Sequence, residues 1–182
     1  PIAVMQGNLD LMRDMLGPQS EAVRGELALI DQQIERMRII VTQLLQYARP
    51  TEFGGYVTAL DLNRTVADSL VLVAHLLSQT RIVVERDLQA TRPVGMNRQE
   101  LQQVVINLLI NAIQAMPDGG RLTLVTRDHE DGSGASLWVK DEGPGLSAAA
   151  RERLFRPFFT TKNDGNGLGL WISQGLVERY GG

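Results

Sequence analysis

The chain of 182 residues contains no cysteine, which excludes disulfides and thiolate chemistry and fits a reducing compartment. It has only two histidines, His75 and His129. No apolar run approaches the roughly 20 residues that a membrane-spanning helix needs, and no signal peptide opens the chain, so the sequence reads as soluble. A dominant charge of one sign is missing too: 18 Lys and Arg stand against 21 Asp and Glu, a net charge of −3. That balance gives no global attraction to nucleic acid or to acidic membrane surfaces. What remains is 43% hydrophobic residues, enough to bury a core in one or two domains.

The richest stretch runs from residue 141 to residue 169. It opens with Asp141-Glu142-Gly143-Pro144-Gly145 and closes with Gly165-Asn166-Gly167-Leu168-Gly169-Leu170. Glycine at this density is costly inside ordered elements and usually permits positive φ or a close approach of backbone to a ligand. The second cluster leads into an apolar helical pattern, Leu168, Leu170, Ile172, Leu176 and Val177, which sets backbone N–H groups at a helix N-terminus, a ready anion site. Between the clusters, residues 151–162 carry Arg151, Arg153, Arg156 and Lys162 against Glu152 alone.

Upstream, Leu101, Val104, Val105, Leu108, Leu109, Ala112 and Ile113 mark a helix, and Asn107 and Asn111, four apart, share one of its faces. Two amides on an otherwise apolar face need partners, because an unsatisfied polar group there costs a few kcal/mol. A hydrated Mg²⁺ carrying a nucleotide's phosphates supplies such partners, since that ion takes oxygen ligands and keeps several waters.

Residues 1–50 read as two helices. Ile2, Met5, Leu9, Met12 and Leu16 recur at spacings of three and four until Gly17-Pro18, and Leu27, Ile30, Ile34, Met37, Val41, Leu44 and Ala48 do the same until Pro50, with Ser20 as a candidate cap. Two such helices bury too little alone. A second copy of the hairpin would complete a four-helix bundle, or the hairpin packs on its own downstream domain.

After a linker at residues 51–55, strands are expected at 56–60, 81–88, 92–96, 121–126 and 136–140. A helix from about Leu62 to Ser78 starts at an Asp61 cap, and Asn97 caps the asparagine-bearing helix. The strands form a sheet with helices on one face. Trp138 and Trp171 read as core or partly buried packing residues. His75 lies on a helix, packed or on the surface, and His129 in a polar hairpin tip. Neither context offers the free nitrogen beside a base that a phosphoacceptor requires.

The ordered series Asn107-x-x-x-Asn111, Asp141-x-Gly143-x-Gly145, Phe155-x-x-Phe158 and Gly165-x-Gly167-x-Gly169 resembles the ATP-binding domain of two-component sensor histidine kinases, within the GHKL group that includes gyrase, Hsp90 and MutL ATPases. The resemblance spans residues 56 to 182. Pro1-Ile2-Ala3-Val4-Met5 and Leu44-Leu45-Gln46-Tyr47-Ala48-Arg49-Pro50 resemble the dimerisation and phosphotransfer hairpin, especially of nitrogen-regulation and dicarboxylate-sensing kinases. The implied architecture is α+β: a helical hairpin at 1–50 forming a dimeric four-helix bundle, then at 56–182 an α/β sandwich of Bergerat type, a mixed sheet with helices on one face. The phosphoacceptor histidine is expected a few residues before Pro1, and two strands after Gly182.

The resemblance implies ATP and Mg²⁺ as ligands. Asn111 is the matched metal ligand, with Asn107 acting directly or through water. A buried Asp141 carboxylate accepts a hydrogen bond from the adenine amino group, and Gly143 and Gly145 let backbone pass close to the base. Gly165, Gly167, Leu168 and Gly169 place N–H groups on the phosphates and hinge a lid, Arg156 and Lys162 supply phosphate charge, and Phe155, Phe158 and Phe159 anchor the lid. The implied activity is ATP-dependent histidine autophosphorylation followed by transfer to an aspartate on a response regulator receiver domain, by a homodimer in the cytoplasmic portion of an inner-membrane sensor whose membrane segments lie outside this chain. A non-enzymatic dimerising scaffold with a degenerate pocket and a hydrolytic GHKL ATPase are the competing readings.

Overall fold

In a computed structural model, residues 1–17, 21, 23–48, 56–162 and 165–182 are described, with residues 35, 36, 38–40 and 42–48 described by backbone only. The Ser20 cap and the 51–55 linker lie outside these residues. The chain divides into two compact units, Pro1–Pro50 and Thr51–Gly182.

The first unit is a pair of helices, α1 (Ile2–Leu16) and α2 (Arg24–Ala48). Gly17, at φ 50°, ends α1, and the Arg13 guanidinium on α1 pairs with Asp31 on α2. Among the described residues only Leu9, Leu27 and Ile34 are buried, with Ile2, Leu16 and Val23 packed around them. Met5, Met12, Ile30 and Met37 of the same apolar rows are 40–51% exposed and line, with Leu9 and Ile34, an open groove of about 470 Å³.

The second unit contains β1 (Thr58–Leu60), α3 (Leu62–Leu72), α4 (Ala74–Ser78), β2 (Ile82–Leu88), β3 (Val94–Met96), α5 (Arg98–Ala115), β4 (Gly120–Asp128), β5 (Ala135–Asp141), α6 (Ala148–Arg151) and α7 (Gly169–Arg179). Among the described residues the single sheet expected from sequence is two: β1 pairs antiparallel with β3, and a separate sheet has the order β2-β4-β5. In the latter, β2 runs parallel to β4 and β5 antiparallel to it, so the sheet is mixed.

Local chemistry explains the boundaries. The Asp61 carboxylate accepts the Arg64 N–H at 3.0 Å, and Asn97 Oδ1 accepts from Gln99 and Glu100 N–H at 2.9 and 3.2 Å; each satisfies donors that a helix start leaves free. The helix expected to run unbroken from Leu62 to Ser78 turns at Val73 (φ −98°, ψ 5°), a residue only 2% exposed. Strand β4 alternates strictly: Leu122, Leu124 and Thr126 are fully buried. Leu122 and Leu124 join Val66, Leu101, Val105, Leu109 and Met116 in one core cluster with the helices. The Thr126 hydroxyl donates to Asn63 Oδ1 at 2.5 Å, while Asn63 Nδ2 donates to the Ala90 carbonyl at 2.8 Å, so the polar groups under α3 are paired.

The same alternation corrects one expectation. Leu137 and Val139 of β5 pack on the core, so Trp138 between them, opposite Val125, turns outward and is 44% exposed. Among the described residues no helix is long and apolar enough to cross a membrane.

Candidate functional site

Helix α5 presents one polar stripe, Gln103, Asn107, Asn111 and Gln114, at spacings of four, four and three. Its opposite side, including Leu101, Val105 and Leu109, is sunk in the core. The stripe therefore faces what lies beside the helix, and near Asn107 that is the start of α7. Asn107 Nδ2 donates to the Gly169 carbonyl at 3.2 Å and to the Ser173 hydroxyl at 3.1 Å. Its Oδ1 accepts from Gln103 Nε2 at 3.0 Å. The partners that the sequence demanded for Asn107 thus come from the protein itself. Asn111, half-buried, differs: among the described residues its side-chain amide takes no hydrogen bond.

Lys162 joins the stripe at its other end. Its ammonium donates to Gln114 Oε1 at 2.9 Å and approaches the Asn111 carbonyl at 3.5 Å. Burial lowers the lysine's pKa, and the nearby negative charge of Asp141 acts in the opposite direction. Lys162, Asp141, Asn111 and Gln114 are thereby brought together.

Asp141 itself departs from expectation. It ends β5, as the sequence suggested, but it is exposed rather than buried. It is the last residue of a strand with no described neighbour on its outer side, and its Oδ1 accepts the Gly143 N–H at 3.0 Å, closing the turn that follows. The other carboxylate oxygen is the one available to a ligand.

The intervening segment is built from successive tight turns after α6. Ser147 caps α6 by accepting the Ala150 N–H at 3.2 Å. The N–H groups of Arg153, Arg156 and Phe159 each bond a carbonyl three residues back, at 2.9–3.2 Å, so these turns close on the segment's own carbonyls. The three-phenylalanine anchor expected here is not formed. Phe155 and Phe158 are 46% and 60% exposed. Phe159 alone is partly covered, with the Arg153 guanidinium 4.7 Å from its ring centroid. Arg156 is exposed and, among the described residues, its side chain makes no hydrogen bond or ion pair.

The second glycine cluster ends against this segment. Gly167 has φ 65°, and a Cβ there would lie 2.4 Å from the Phe158 carbonyl carbon. Gly165 donates to the Lys162 carbonyl at 3.4 Å. Leu168 is fully buried, its N–H bonded to Asn166 Oδ1 at 3.1 Å. Helix α7 then begins at Gly169 with no side-chain cap from Leu168, so its first-turn N–H groups and dipole favour an anion. Gly145, at φ 70°, stands in open space.

Among the described residues no three His, Cys, Asp or Glu side chains are grouped to hold a metal. A cation here would depend on amide oxygens, waters and an anionic ligand. The hard carbonyl oxygen of the unpartnered Asn111 amide suits Mg²⁺, which accepts such a mixed, water-rich shell. The two histidines do not enter the site's chemistry. His75 is exposed, and both nitrogens of His129 are engaged, by Ser133 Oγ at 3.0 Å and Ser136 Oγ at 2.7 Å.

Sequence reasoning passed over Gln103, Gln114 and Ser173. The signal was spacing: both glutamines continue the asparagine stripe, and Ser173 lies one helical turn after Gly169.

Residues 96–182 match the family model described as histidine kinase-, DNA gyrase B-, and HSP90-like ATPase. The chain is 31% identical over 185 residues to the signal transduction histidine-protein kinase AtoS of Escherichia coli (strain K12). It is 35% identical over 185 residues to the C4-dicarboxylate transport sensor protein DctB of Rhizobium meliloti (strain 1021). Each alignment takes in 100% of this chain and 29% of the relative, so the chain spans less than a third of those proteins. Among solved structures, histidine kinase ThkA in complex with the response regulator protein TrrA superimposes with a TM-score of 0.66 at 25% identity, covering 100% of this chain and 52% of that one.

Proposed function

This chain belongs to the sensor histidine kinases and carries a GHKL-type ATP-binding domain, and we propose that it binds Mg-ATP in residues 56–182 and transfers the γ-phosphoryl group to a histidine presented by a dimerisation domain. One observation carries the reading: Asn107 ties the asparagine-bearing α5 to the glycine-led start of α7. That contact supports reading the α5 amide oxygens as cation ligands and the α7 N–H groups as phosphate donors.

Phosphoryl transfer asks the protein for positioning and for charge compensation. In this reading the first turn of α7, reached through Gly165, Gly167, Leu168 and Gly169, binds phosphate oxygens. Lys162 leaves Gln114 to add positive charge, with Arg156 reaching in from the exposed lid. Asn111, with Asn107, holds Mg²⁺, which would spread the phosphates' negative charge. The Asp141 oxygen not bonded to Gly143 accepts the adenine amino group, and Gly143 and Gly145 keep the backbone close to the base. A hydrolytic enzyme needs a base to activate water, and the amides of Asn107 and Asn111 cannot serve; this favours a kinase over an ATPase.

Residues 1–50 are read as the dimerisation hairpin. Support comes from its apolar rows: Met5, Met12, Ile30 and Met37 are left open, and a second hairpin would cover them. The phosphoryl group then passes to an aspartate of a response regulator receiver domain, a partner class suggested by the ThkA–TrrA neighbour. The chain would work in the cytoplasm, with any membrane anchor supplied by other segments.

The test is titration calorimetry with Mg-ATP on the parent chain, Asn111→Ala and Asp141→Ala, alongside ADP release and labelling from γ-labelled ATP. Binding lost in both variants, with slow ADP release, is expected. A parent chain that binds no nucleotide would reject the reading in favour of the scaffold, and rapid turnover would favour a hydrolase.

A further inference from the structure

The Asn107 carboxamide is held by its nitrogen end. Its NH₂ group donates to the Gly169 carbonyl at 3.2 Å and to Ser173 Oγ at 3.1 Å, while Oδ1 accepts a single hydrogen bond, from Gln103 at 3.0 Å. A main-chain carbonyl only accepts, so the group opposite Gly169 must be the NH₂, and the amide's orientation follows from chemistry alone. Ser173 is 4% exposed and sits one turn beyond Gly169 on the same helix, so its hydroxyl meets the second amide proton. Both protons are thereby committed, and Oδ1 keeps one lone pair.

We propose that Ser173 is a positioning residue for the Mg-nucleotide site: together with the Gly169 carbonyl it clamps the Asn107 carboxamide so that oxygen, and not nitrogen, is offered to a cation or its bound water. This rests on the nucleotide-binding reading above. With the hydroxyl gone, one proton of the amide loses its acceptor and the Gly169 carbonyl alone holds the nitrogen end, so the carboxamide swings more freely and offers its oxygen to the cation less often. Gln174, next along α7, spends its amide on Glu178 at 2.8 Å and serves as a control outside the clamp.

Calorimetric titration of ATP in Mg²⁺ and in EDTA, on the parent chain, Ser173→Ala and Gln174→Ala, separates the possibilities. Ser173→Ala is expected to weaken binding in Mg²⁺ by about tenfold, the usual scale for losing a residue that orients a metal ligand, and to leave the affinity in EDTA unchanged. Gln174→Ala, at a half-exposed position that does not threaten folding, is expected to match the parent in both media. Equal losses with and without Mg²⁺, no loss, or the same loss from Gln174→Ala would each overturn the clamp while the parent's binding upheld the nucleotide reading. No binding by the parent in either medium would overturn both.

Discussion

Replacing Gly167 with alanine asks whether the glycines before α7 serve the chain's own packing as well as any ligand. At Gly167 the backbone has φ 65°, and an added Cβ would lie 2.4 Å from the Phe158 carbonyl carbon and 2.6 Å from the Phe159 nitrogen and oxygen. These are main-chain atoms and cannot swing aside as a side chain would. Gly145 is the natural control: φ is 70°, yet nothing lies within 4 Å of its would-be Cβ. The left-handed backbone costs a non-glycine residue about 1–2 kcal/mol at either site. Overpacking adds about 1–3 kcal/mol at Gly167 alone, for roughly 2–5 kcal/mol there in all. Since the segment bonds mainly to itself, the strain should appear as local opening. Amide hydrogen exchange reads it directly. Phe159, bonded to the Arg156 carbonyl at 3.2 Å, reports on the second loop, and Gly143, bonded to Asp141 at 3.0 Å, reports on the first. At about tenfold per 1.4 kcal/mol, Gly167→Ala should accelerate exchange at Phe159 roughly tenfold more than Gly145→Ala does at Gly143. Equal acceleration in the two variants would refute the steric account.

Two further perturbations test the frame that holds the site. Leu109, fully buried between the two asparagines, should lose about 2–5 kcal/mol of stability to denaturant as Leu109→Ala; a change below about 1 kcal/mol would mean that α5 is not seated in the core. Asp128 accepts the Thr91 hydroxyl at 2.6 Å and the Thr91 and Arg92 N–H groups at 2.9 Å. These bonds, the Thr91 hydroxyl's foremost, hold its pKa below the ordinary 3.8. A carboxylate depressed on folding gives stability that is whole above its unfolded value and is lost as pH falls through its folded one. Urea titrations should therefore show Asp128→Asn destabilised by a constant amount above pH 3.8, with the gap closing at lower pH; a gap that stays constant into strong acid would refute the assignment.

Most of the local structure was legible. The caps at Asp61 and Asn97, the end of α1 at Gly17 and the alternation of β4 follow from chemistry within a few residues. Trp138 was legible too, since Leu137 and Val139 flank it in period two, but its size argued for the interior and the period decided. What could not be read were choices made by distant residues. Nothing near Asn107 says that its NH₂ will meet Gly169 and Ser173. Nothing near Asp141 says that its strand will have only one described neighbour, leaving the carboxylate exposed. The phenylalanines failed for the same reason: Phe155 and Phe158 look like anchors in sequence, yet the turns around them close on their own carbonyls and leave the rings outside.

The contact between α5 and α7 also bears on when the site comes into being. Its two hydrogen bonds join positions 62 and 66 residues apart, whereas the β4–β5 hairpin brings Asp128 against Ala135. Closing a long loop costs more entropy than closing a short one, so the hairpin can form from its own neighbourhood, and the α5–α7 contact must wait for α7. During synthesis it cannot exist until Ser173 has left the ribosome. A nascent or partly unfolded chain therefore has strands and helices but nowhere to hold a ligand that needs both α5 and α7. Whatever binds there selects finished molecules, and by mass action it holds them in that state.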